Sequence, residues 1–157
     1  MKLTAHEEYG LRCLIRLAQE GPGGRLTIPE ISTTEGVSEA YVAKLLRILR
    51  LGGIVKAARG AGGYSLARPA GQIFLSDVLA VLGGRLFDDT FCEAHSGQMQ
   101  TCVRSVDCSL RVLWRSVQAA VDGVLRRTTL EDLLCGEERM TGWVTGLGGF
   151  TAQVARQ

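Results

Sequence analysis

A glycine-rich segment between two short strand patterns constrains the fold of this chain more than any other feature. The segment reads Arg59-Gly60-Ala61-Gly62-Gly63, and apolar strand patterns flank it over residues 54–58 and 64–67. Two such runs joined by a short glycine-rich connection predict a β-hairpin. Because the chain has 157 residues, this hairpin belongs to one small domain with room for one appended element.

Three helix patterns precede the hairpin. Two possible capping boxes, beginning at Thr4 and Thr27, predict helices over about 4–19 and from 28 to near 36. Ser38 is expected to cap a third helix, whose apolar stripe consists of Val42, Leu45, Leu46 and Leu49. Short helix, turn, second helix and hairpin, in this order, predict a winged helix-turn-helix, a mainly α fold with a small β wing.

The polar face of the third helix and the tip of the wing are the candidate DNA contacts. The second helix of a helix-turn-helix enters the major groove, and an arginine at a wing tip suits the narrow minor groove. The residues expected to face DNA are Ser38, Ala40, Tyr41, Lys44, Arg47, Arg59 and Gly60. Taken singly, a basic helix face and a tight hairpin are common surface features, and it is their order that favours DNA binding.

The back half of the chain predicts fewer elements. Ser76 is expected to cap a short helix that ends at Gly83-Gly84, and residues 85–108 are expected to be a loop. Apolar residues at helical spacing predict one long helix over about 109–126, and Thr128 is expected to cap a last short turn. The predicted organisation is a DNA-binding domain at 1–84, a cysteine loop at 85–108, a long helix with a short terminal helix at 109–135, and a mobile tail at 136–157.

Charge and hydropathy narrow the class of protein. Residues 1–68 contain ten Lys or Arg against six Asp or Glu, whereas residues 69–157 contain eight against ten, so the front half is the electropositive one. No apolar run reaches the length of a membrane span and the first residues do not resemble a signal peptide, which predicts a cytoplasmic protein. No phosphate-binding glycine loop and no recognisable Ser-His-acid set is present, so we expect no enzyme.

Three of the five cysteines, Cys92, Cys102 and Cys108, lie within 17 positions of one another. Clustered thiols in a reducing compartment indicate metal rather than disulfides, and soft thiolates select iron–sulfur clusters, copper(I) or zinc. A closed zinc site of these three with His95 and a set of simply buried thiols are the two alternatives. Cys13 and Cys135 are interpreted as core or surface thiols.

Three segments resemble the IscR and NsrR transcription regulators of the Rrf-two family. They are the opening Met1-Lys2-Leu3-Thr4, residues 37–46, and Arg59-Gly60-Ala61-Gly62-Gly63-Tyr64-Ser65-Leu66, within a match over roughly residues 1–135. The resemblance implies a homodimer formed through the long helix, and an operator in double-stranded DNA that meets Arg59 and the glycines after it. Ala43 replaces a longer polar residue that reads bases in IscR-like members, so the target sequence is expected to differ.

The same resemblance implies an iron–sulfur cluster on Cys92, Cys102 and Cys108. The fourth ligand varies in the family, and the position that is acidic in NsrR-like members is Glu8, which would come from the partner chain. The chain departs from the pattern because nine residues separate Cys92 from Cys102, His95 lies among them as a rival ligand, and Arg111 stands where IscR-like members have a histidine. A four-iron cluster is favoured over a two-iron cluster.

The sequence therefore predicts an iron–sulfur-dependent DNA-binding repressor that senses redox state, nitric oxide or iron. The alternative is a zinc-stabilised or metal-free winged-helix regulator that responds to a small ligand or a protein partner.

Overall fold

A computed structural model describes residues 3–58, 62–85, 87–88 and 90–146. The front half contains α1 (Ala5–Gln19), α2 (Ile28–Glu35), α3 (Glu39–Leu51), β1 (Val55–Ala57) and β2 (Tyr64–Leu66). A 3-10 turn (Ala70–Gln72) leads to α4 (Leu75–Leu82), α5 (Phe91–Ala94) and α6 (Ser109–Leu125), and a second 3-10 turn (Asp132–Leu134) leads to α7 (Glu137–Gly146). The predicted fold class, mainly α with a small β wing, is confirmed.

The first two helices begin where their capping boxes predict. The Glu7 carboxylate accepts a hydrogen bond from the Thr4 backbone N–H at 2.6 Å, and the Thr4 hydroxyl accepts one from the Glu7 N–H at 3.4 Å. At α2, the Glu30 carboxylate accepts from both the N–H and the hydroxyl of Thr27, each at 2.7 Å. These bonds satisfy backbone donors that the first turn of a helix leaves unpaired.

One hydrophobic core joins the helices of the front half. The predicted stripe of α3 is fully buried, and it packs with Leu14 and Leu17 of α1 and Ile31 of α2. Leu130, which follows α6, is fully buried in the same core, and its N–H donates to the Ile73 carbonyl at 2.8 Å. The chain therefore returns to the core of the front half after α6.

The wing is a two-stranded antiparallel sheet. Val55 pairs with Leu66, Lys56 with Ser65 and Ala57 with Tyr64. Leu26 and Tyr64 exchange backbone hydrogen bonds of 3.0 and 2.7 Å, which fasten β2 to the segment before α2. Residues 59–61 at the tip lie outside the described residues.

Two predicted helix starts are wrong by one position or more. Ser76 lies inside the first turn of α4 and does not cap it, because the helix begins at Leu75 with Phe74 at the N-cap. Backbone pairing of this segment with residues 128–129 fixes that start, since the Leu75 N–H donates to the Thr128 carbonyl at 2.9 Å. The last 3-10 turn begins at Asp132 with Glu131 at the N-cap, so Thr128 does not cap it; the Thr129 N–H donates to Asp132 at 2.7 Å.

Two segments expected to lack regular structure contain helices. Residues 91–94 of the expected loop form α5, where Asp88 accepts hydrogen bonds from the N–H and hydroxyl of Thr90 at 2.9 and 2.6 Å. The hydroxyl bond from Thr90 also lowers the pKa of Asp88. Residues 137–146 of the expected tail form α7, which carries acidic residues in its first turn, where the helix dipole favours them.

The long helix α6 has an unusual burial pattern. Gln118 is its one buried residue, although several of its apolar side chains lie at helical spacing. Those that are exposed include Leu110, Val112, Leu113, Trp114 and Val124. An amphipathic helix normally buries its apolar face, so α6 presents a face that the rest of its own chain does not cover.

Among the described residues, none of the helices has both the length and the apolar character needed to cross a membrane.

Candidate functional site

The exposed face of α3 carries three of the residues predicted to contact DNA. Ala40, Lys44 and Arg47 are exposed, whereas the apolar stripe on the other side of the helix is buried in the core. Ser38 is the exposed N-cap residue, and its hydroxyl makes no capping hydrogen bond. The polar groups of this face are therefore available to a partner molecule.

Tyr41 has a more restricted position than its neighbours on α3. Its hydroxyl lies 3.0 Å from His6 Nδ1, and its ring meets the rings of His6 and Tyr9 edge-on, with centroids 5.3 and 6.0 Å apart. The side chain is half-buried. Tyr41 therefore joins α3 to the first two turns of α1.

Arg12 joins α1 to the end of α2. Its Nε donates to the Glu35 carboxylate at 2.8 Å and a terminal nitrogen donates to the Glu35 carbonyl at 2.7 Å. The side-chain bond to Glu35 raises the pKa of the arginine. Together, Arg12 and Tyr41 attach both helices of the helix-turn-helix to α1.

The wing keeps its shape through its last two glycines. Gly62 and Gly63 have φ angles of +75° and +88°, a region that residues with a side chain rarely adopt. Arg59 and Gly60, both predicted to contact DNA, lie outside the described residues, so their contact with DNA stays a prediction.

The three clustered cysteines lie on the wall of one cavity. Cys92, Cys102 and Cys108 are half-buried and line a cavity of about 560 Å³ at the start of α6. Two arginines, Arg104 and Arg111, share its wall. Positive guanidinium groups beside three thiols offset the negative charge of thiolate ligands. The three cysteines therefore line one cavity, and their role as ligands stays a prediction.

Short local contacts hold the cysteine-bearing segment. Cys108 is the N-cap residue of α6, where the positive end of the helix dipole favours an anionic group. Arg111, one turn into α6, donates to the Ser105 carbonyl at 3.1 Å, and the Ser105 N–H donates to the Cys102 carbonyl at 2.9 Å. The segment between Cys102 and Cys108 is thus attached to α6, the helix that Cys108 caps.

Buried contacts hold the Cys92 side of the cavity against α6. The Phe87 N–H donates to Gln118 Oε1 at 3.0 Å, and Gln118 Nε2 donates to Asp122 at 2.7 Å. Phe87 in turn packs on Phe91 of α5, with ring centroids 5.2 Å apart. This buried amide explains why the one buried residue of α6 is polar.

The two candidate fourth ligands lie away from the cavity wall in a single chain. His95 stacks on Phe91 at 4.1 Å between centroids, and its Nδ1–H donates to the Phe91 carbonyl at 2.8 Å. Glu8 is exposed on α1. Neither lines the cavity, and within the described ranges no group of three His, Cys, Asp or Glu side chains is positioned to hold a metal ion without adjustment.

The two remaining cysteines, Cys13 and Cys135, have the positions expected of core or surface thiols. Cys13 is fully buried in the core, and burial raises the pKa of its thiol to about 11. Cys135 is half-buried beside Asp132, whose carbonyl accepts from its thiol. Neither thiol lines the cavity of the other three.

Sequence reasoning missed two contributions to this site. One is Arg104 on the cavity wall, whose position between Cys102 and Cys108 in the sequence could have indicated that it lies near the thiols. Gln118 left no comparable signal, because a polar residue on a long helix is normally exposed and its burial depends on the contact with Phe87.

A helix-turn-helix with an exposed basic face, followed by an antiparallel wing, defines a winged-helix DNA-binding protein. The model of the Rrf2 family, described as iron-dependent transcriptional regulators, matches residues 3–136. The chain therefore belongs to the Rrf2 family of transcriptional regulators, which are not enzymes.

Individual relatives agree with this assignment. The HTH-type transcriptional regulator IscR of Xenorhabdus nematophila is 30% identical over 139 residues, which cover 88% of this chain and 82% of that protein. Protein rrf2 of Nitratidesulfovibrio vulgaris is 33% identical over 135 residues, covering 85% of this chain and 87% of that protein.

Two solved structures share the fold over most of the chain. T. potens IscR has a TM-score of 0.66 at 31% identity and covers 85% of this chain and 86% of its own. CymR (YrzC), the global cysteine regulator of B. subtilis, has a TM-score of 0.64 at 32% identity, with 85% and 96% covered.

Proposed function

We propose that this chain is an iron–sulfur-dependent repressor that binds operator DNA as a homodimer in the bacterial cytoplasm. The observation that carries the proposal is that Cys92, Cys102 and Cys108 line one cavity at the start of α6. Similarity to IscR and membership of a family described as iron-dependent support it.

The residues around the cavity suit an iron–sulfur cluster. Three thiols supply soft ligands, and Arg104 and Arg111 supply the positive charge that an anionic cluster site requires. Between residues 96 and 107 the described backbone makes one backbone–backbone hydrogen bond, from Ser105 to Cys102, and one bond with a side chain, from Arg111 to the Ser105 carbonyl. So few fixed contacts leave the thiols freedom to converge on a metal centre. A bound cluster, four-iron in preference to two-iron, would supply iron that reacts with oxidants and nitric oxide and is sensitive to iron supply.

The fourth ligand is proposed to be Glu8 of the second copy. Glu8 is exposed, and the helix that carries it also bears Arg12 and His6, which contact the helix-turn-helix. A ligand on α1 would therefore connect the cysteine cavity of one chain to the DNA-binding helices of the other. His95 is the rival ligand, because its Nδ1–H is hydrogen-bonded and its Nε2 is left with a lone pair.

The uncovered face of α6 supports the homodimer. Leu110, Leu113 and Val124 are exposed at helical spacing, and each is 40% or more accessible. A second copy of α6 would bury them, and the two recognition helices would then be held at a fixed spacing on DNA. Because α6 begins at Cys108, the same helix borders the cysteine cavity and the dimer face.

Spectroscopy of cysteine variants tests the proposal. Protein purified without oxygen is expected to be brown, with iron and sulfide present, and each of C92A, C102A and C108A is expected to lose the colour. C135A is the matched control, since Cys135 is half-buried but does not line the cavity, and it should keep the full spectrum. A colourless protein that contains zinc would overturn the cluster and favour the zinc-stabilised regulator.

The fourth ligand has its own test in the same spectrum. E8A should shift the visible bands while leaving iron bound, whereas H95A should leave them in place. The reverse result would assign the ligand to His95. If both variants keep the unmodified spectrum, neither residue is the ligand.

A further inference from the structure

A second cavity lies on the side of the wing that faces the body of the protein. It measures about 610 Å³ and lies between the glycine loop after α1, the strand β2 with the turn that follows it, and the last 3-10 turn. This volume is in the range of small-molecule sites. None of the three cavity cysteines lines it, so the cavity is separate from the proposed cluster site.

A serine hydroxyl lies on the wall of this cavity. Ser65 of β2 is 8% exposed, and within the described part of the chain its hydroxyl makes no hydrogen bond. A hydroxyl with no protein partner can donate to, or accept from, a polar group of a bound ligand. Ser65 therefore marks a polar position on an otherwise largely apolar wall.

A positive side chain lies next to that hydroxyl. Lys56 is directly opposite Ser65 in the antiparallel pair, so both side chains leave the sheet on the same face, about 5 Å apart at Cβ. Lys56 lines the cavity and has no acidic partner among the residues described. Arg68 also lines it, but its guanidinium is already bound to the Gln72 carbonyl and to Asp77, at 2.9 and 3.0 Å.

A negative side chain occupies the opposite wall. Glu131 makes no hydrogen bond or ion pair through its carboxylate with any described residue. It lies so close to Gly71 that a Cβ at that position would be 2.3 Å from its Oε2. The absence of a side chain at residue 71 thus lets the carboxylate lie against the cavity wall.

We propose that this cavity binds a zwitterionic amino acid with an apolar side chain. Lys56 and Ser65 bind its carboxylate, Glu131 binds its ammonium group, and apolar lining residues such as Leu66, Ala70 and Leu134 surround its side chain. The arrangement favours a zwitterion because the unpaired cation and the unpaired anion are on different elements of the wall, and a singly charged ligand would leave one of them unmatched.

The location gives such a ligand a regulatory consequence. Lys56 and Ser65 belong to the wing, whereas Glu131 belongs to the segment that follows α6. An amino acid bound to all three residues would connect the wing to the segment after α6. It would thereby restrict the motion of the wing and change how the wing binds DNA. This input is independent of any metal at the cysteines.

Calorimetric titration of the purified, metal-free chain tests the site. The probes are free L-leucine, L-methionine, L-valine and L-phenylalanine, and we expect at least one to bind with saturation in the millimolar range or below. For that amino acid, the N-acetyl derivative lacks the ammonium charge and the amide derivative lacks the carboxylate. Both should bind at least about tenfold more weakly, since each loses a charged hydrogen bond.

Variants assign the two ends of the ligand. E131Q should lower the affinity for the free amino acid until it equals the affinity for the N-acetyl derivative. K56Q should likewise lower the affinity for the free amino acid until it equals the affinity for the amide derivative. S65A, a small change at a buried position, should weaken binding with little effect on thermal stability, and R127Q is a matched surface control that should bind normally.

Two results would overturn the proposal. One is that none of the four amino acids binds. The other is that an amino acid binds but the variants leave its binding unchanged. If no amino acid binds and K56Q weakens DNA binding, Lys56 is a phosphate contact instead. None of these readings depends on a cluster, so failure here is distinct from failure of the proposed function.

Discussion

At Gly63 the φ angle is +88°, and a Cβ there would lie 2.7 Å from the Leu26 carbonyl oxygen. Gly62 has a similar φ of +75°, but no atom of the described residues lies within 4 Å of a Cβ position there. A side chain at Gly62 would therefore cost only the unfavourable backbone conformation. A side chain at Gly63 would add a steric clash to that cost. Leu26 cannot move away easily, because its N–H and carbonyl both bond to Tyr64.

Alanine substitutions at these two glycines should differ in their effect on stability. G62A should lower the free energy of unfolding by about 1 kcal/mol, the cost of a left-handed alanine. G63A should cost about 2–4 kcal/mol, because the clash with a fixed backbone carbonyl adds to it. Chemical denaturation of both variants measures the difference, and equal losses would show that the backbone before α2 yields without cost.

The Cys13 thiol should make stability depend on pH at the alkaline end. Burial raises its pKa from 9.0 to about 11, so between these values the unfolded chain loses a proton that the folded chain keeps. Stability contributed by the neutral thiol is thus complete below pH 9, and it falls by up to about 1.4 kcal/mol per pH unit above it. Urea denaturation between pH 8 and 11 should show this slope.

The matched comparison for Cys13 is C13A. This variant should be less stable at every pH, because it leaves a cavity in the core, but its alkaline slope should be shallower than that of the parent chain. C135A should keep the parent slope. A C13A slope equal to that of the parent would assign the alkaline loss to other groups.

At the scale of elements, α3 presents Lys44 and Arg47 on an exposed face, and neither side chain bonds to another residue in the described part of the chain. If Lys44 contacts a DNA phosphate, K44Q should weaken binding to all sequences and reduce the slope of log affinity against log salt by about one. R127Q removes the same charge from an exposed position after α6 and should leave the slope unchanged. Fluorescence anisotropy over a salt series checks both, and an unchanged slope in K44Q would place Lys44 off the DNA.

The elements that the sequence predicts well are those with local causes. Capping bonds at Thr4 and Thr27 and one apolar stripe on α3 are encoded within a few residues, so the first three helices and the wing strands lie where expected. The start of α4 is decided by pairing of Phe74 with Thr129, which lies more than 50 positions away. Helix α5 depends on the ring contact between Phe87 and Phe91, which no short pattern reveals.

The candidate cluster site likewise has some features that the local sequence reveals and others that depend on distant contacts. The three cysteines could be selected from their chemistry and spacing, and they do share a cavity. The approach of Arg111 to the Ser105 carbonyl and the burial of Gln118 result from tertiary packing. Sequence reasoning therefore selected the three thiols that share the cavity and missed the contacts that position them.

At the scale of the whole molecule, the uncovered face of α6 should determine the oligomeric state. L113E places a charge in the exposed apolar stripe and should convert a dimer into a monomer, because an unpaired carboxylate cannot be buried at low cost. A119E is the matched control, since Ala119 is exposed on the opposite side of the same helix. Light scattering coupled to size-exclusion chromatography distinguishes them, and a dimeric L113E would place the interface elsewhere.

The burial of a single residue on α6 would tie the lifetime of the protein to its abundance if the chain pairs as proposed. A helix of this length without a packed apolar face is marginal in water, so an isolated chain holds α6 weakly and opens it to proteases. The proposed pairing with a second chain would follow mass action, so resistance to proteolysis would rise with the amount of protein in the cell. A repressor built in this way would be cleared fastest when it is scarce, which sharpens the boundary between the repressed and the derepressed cell.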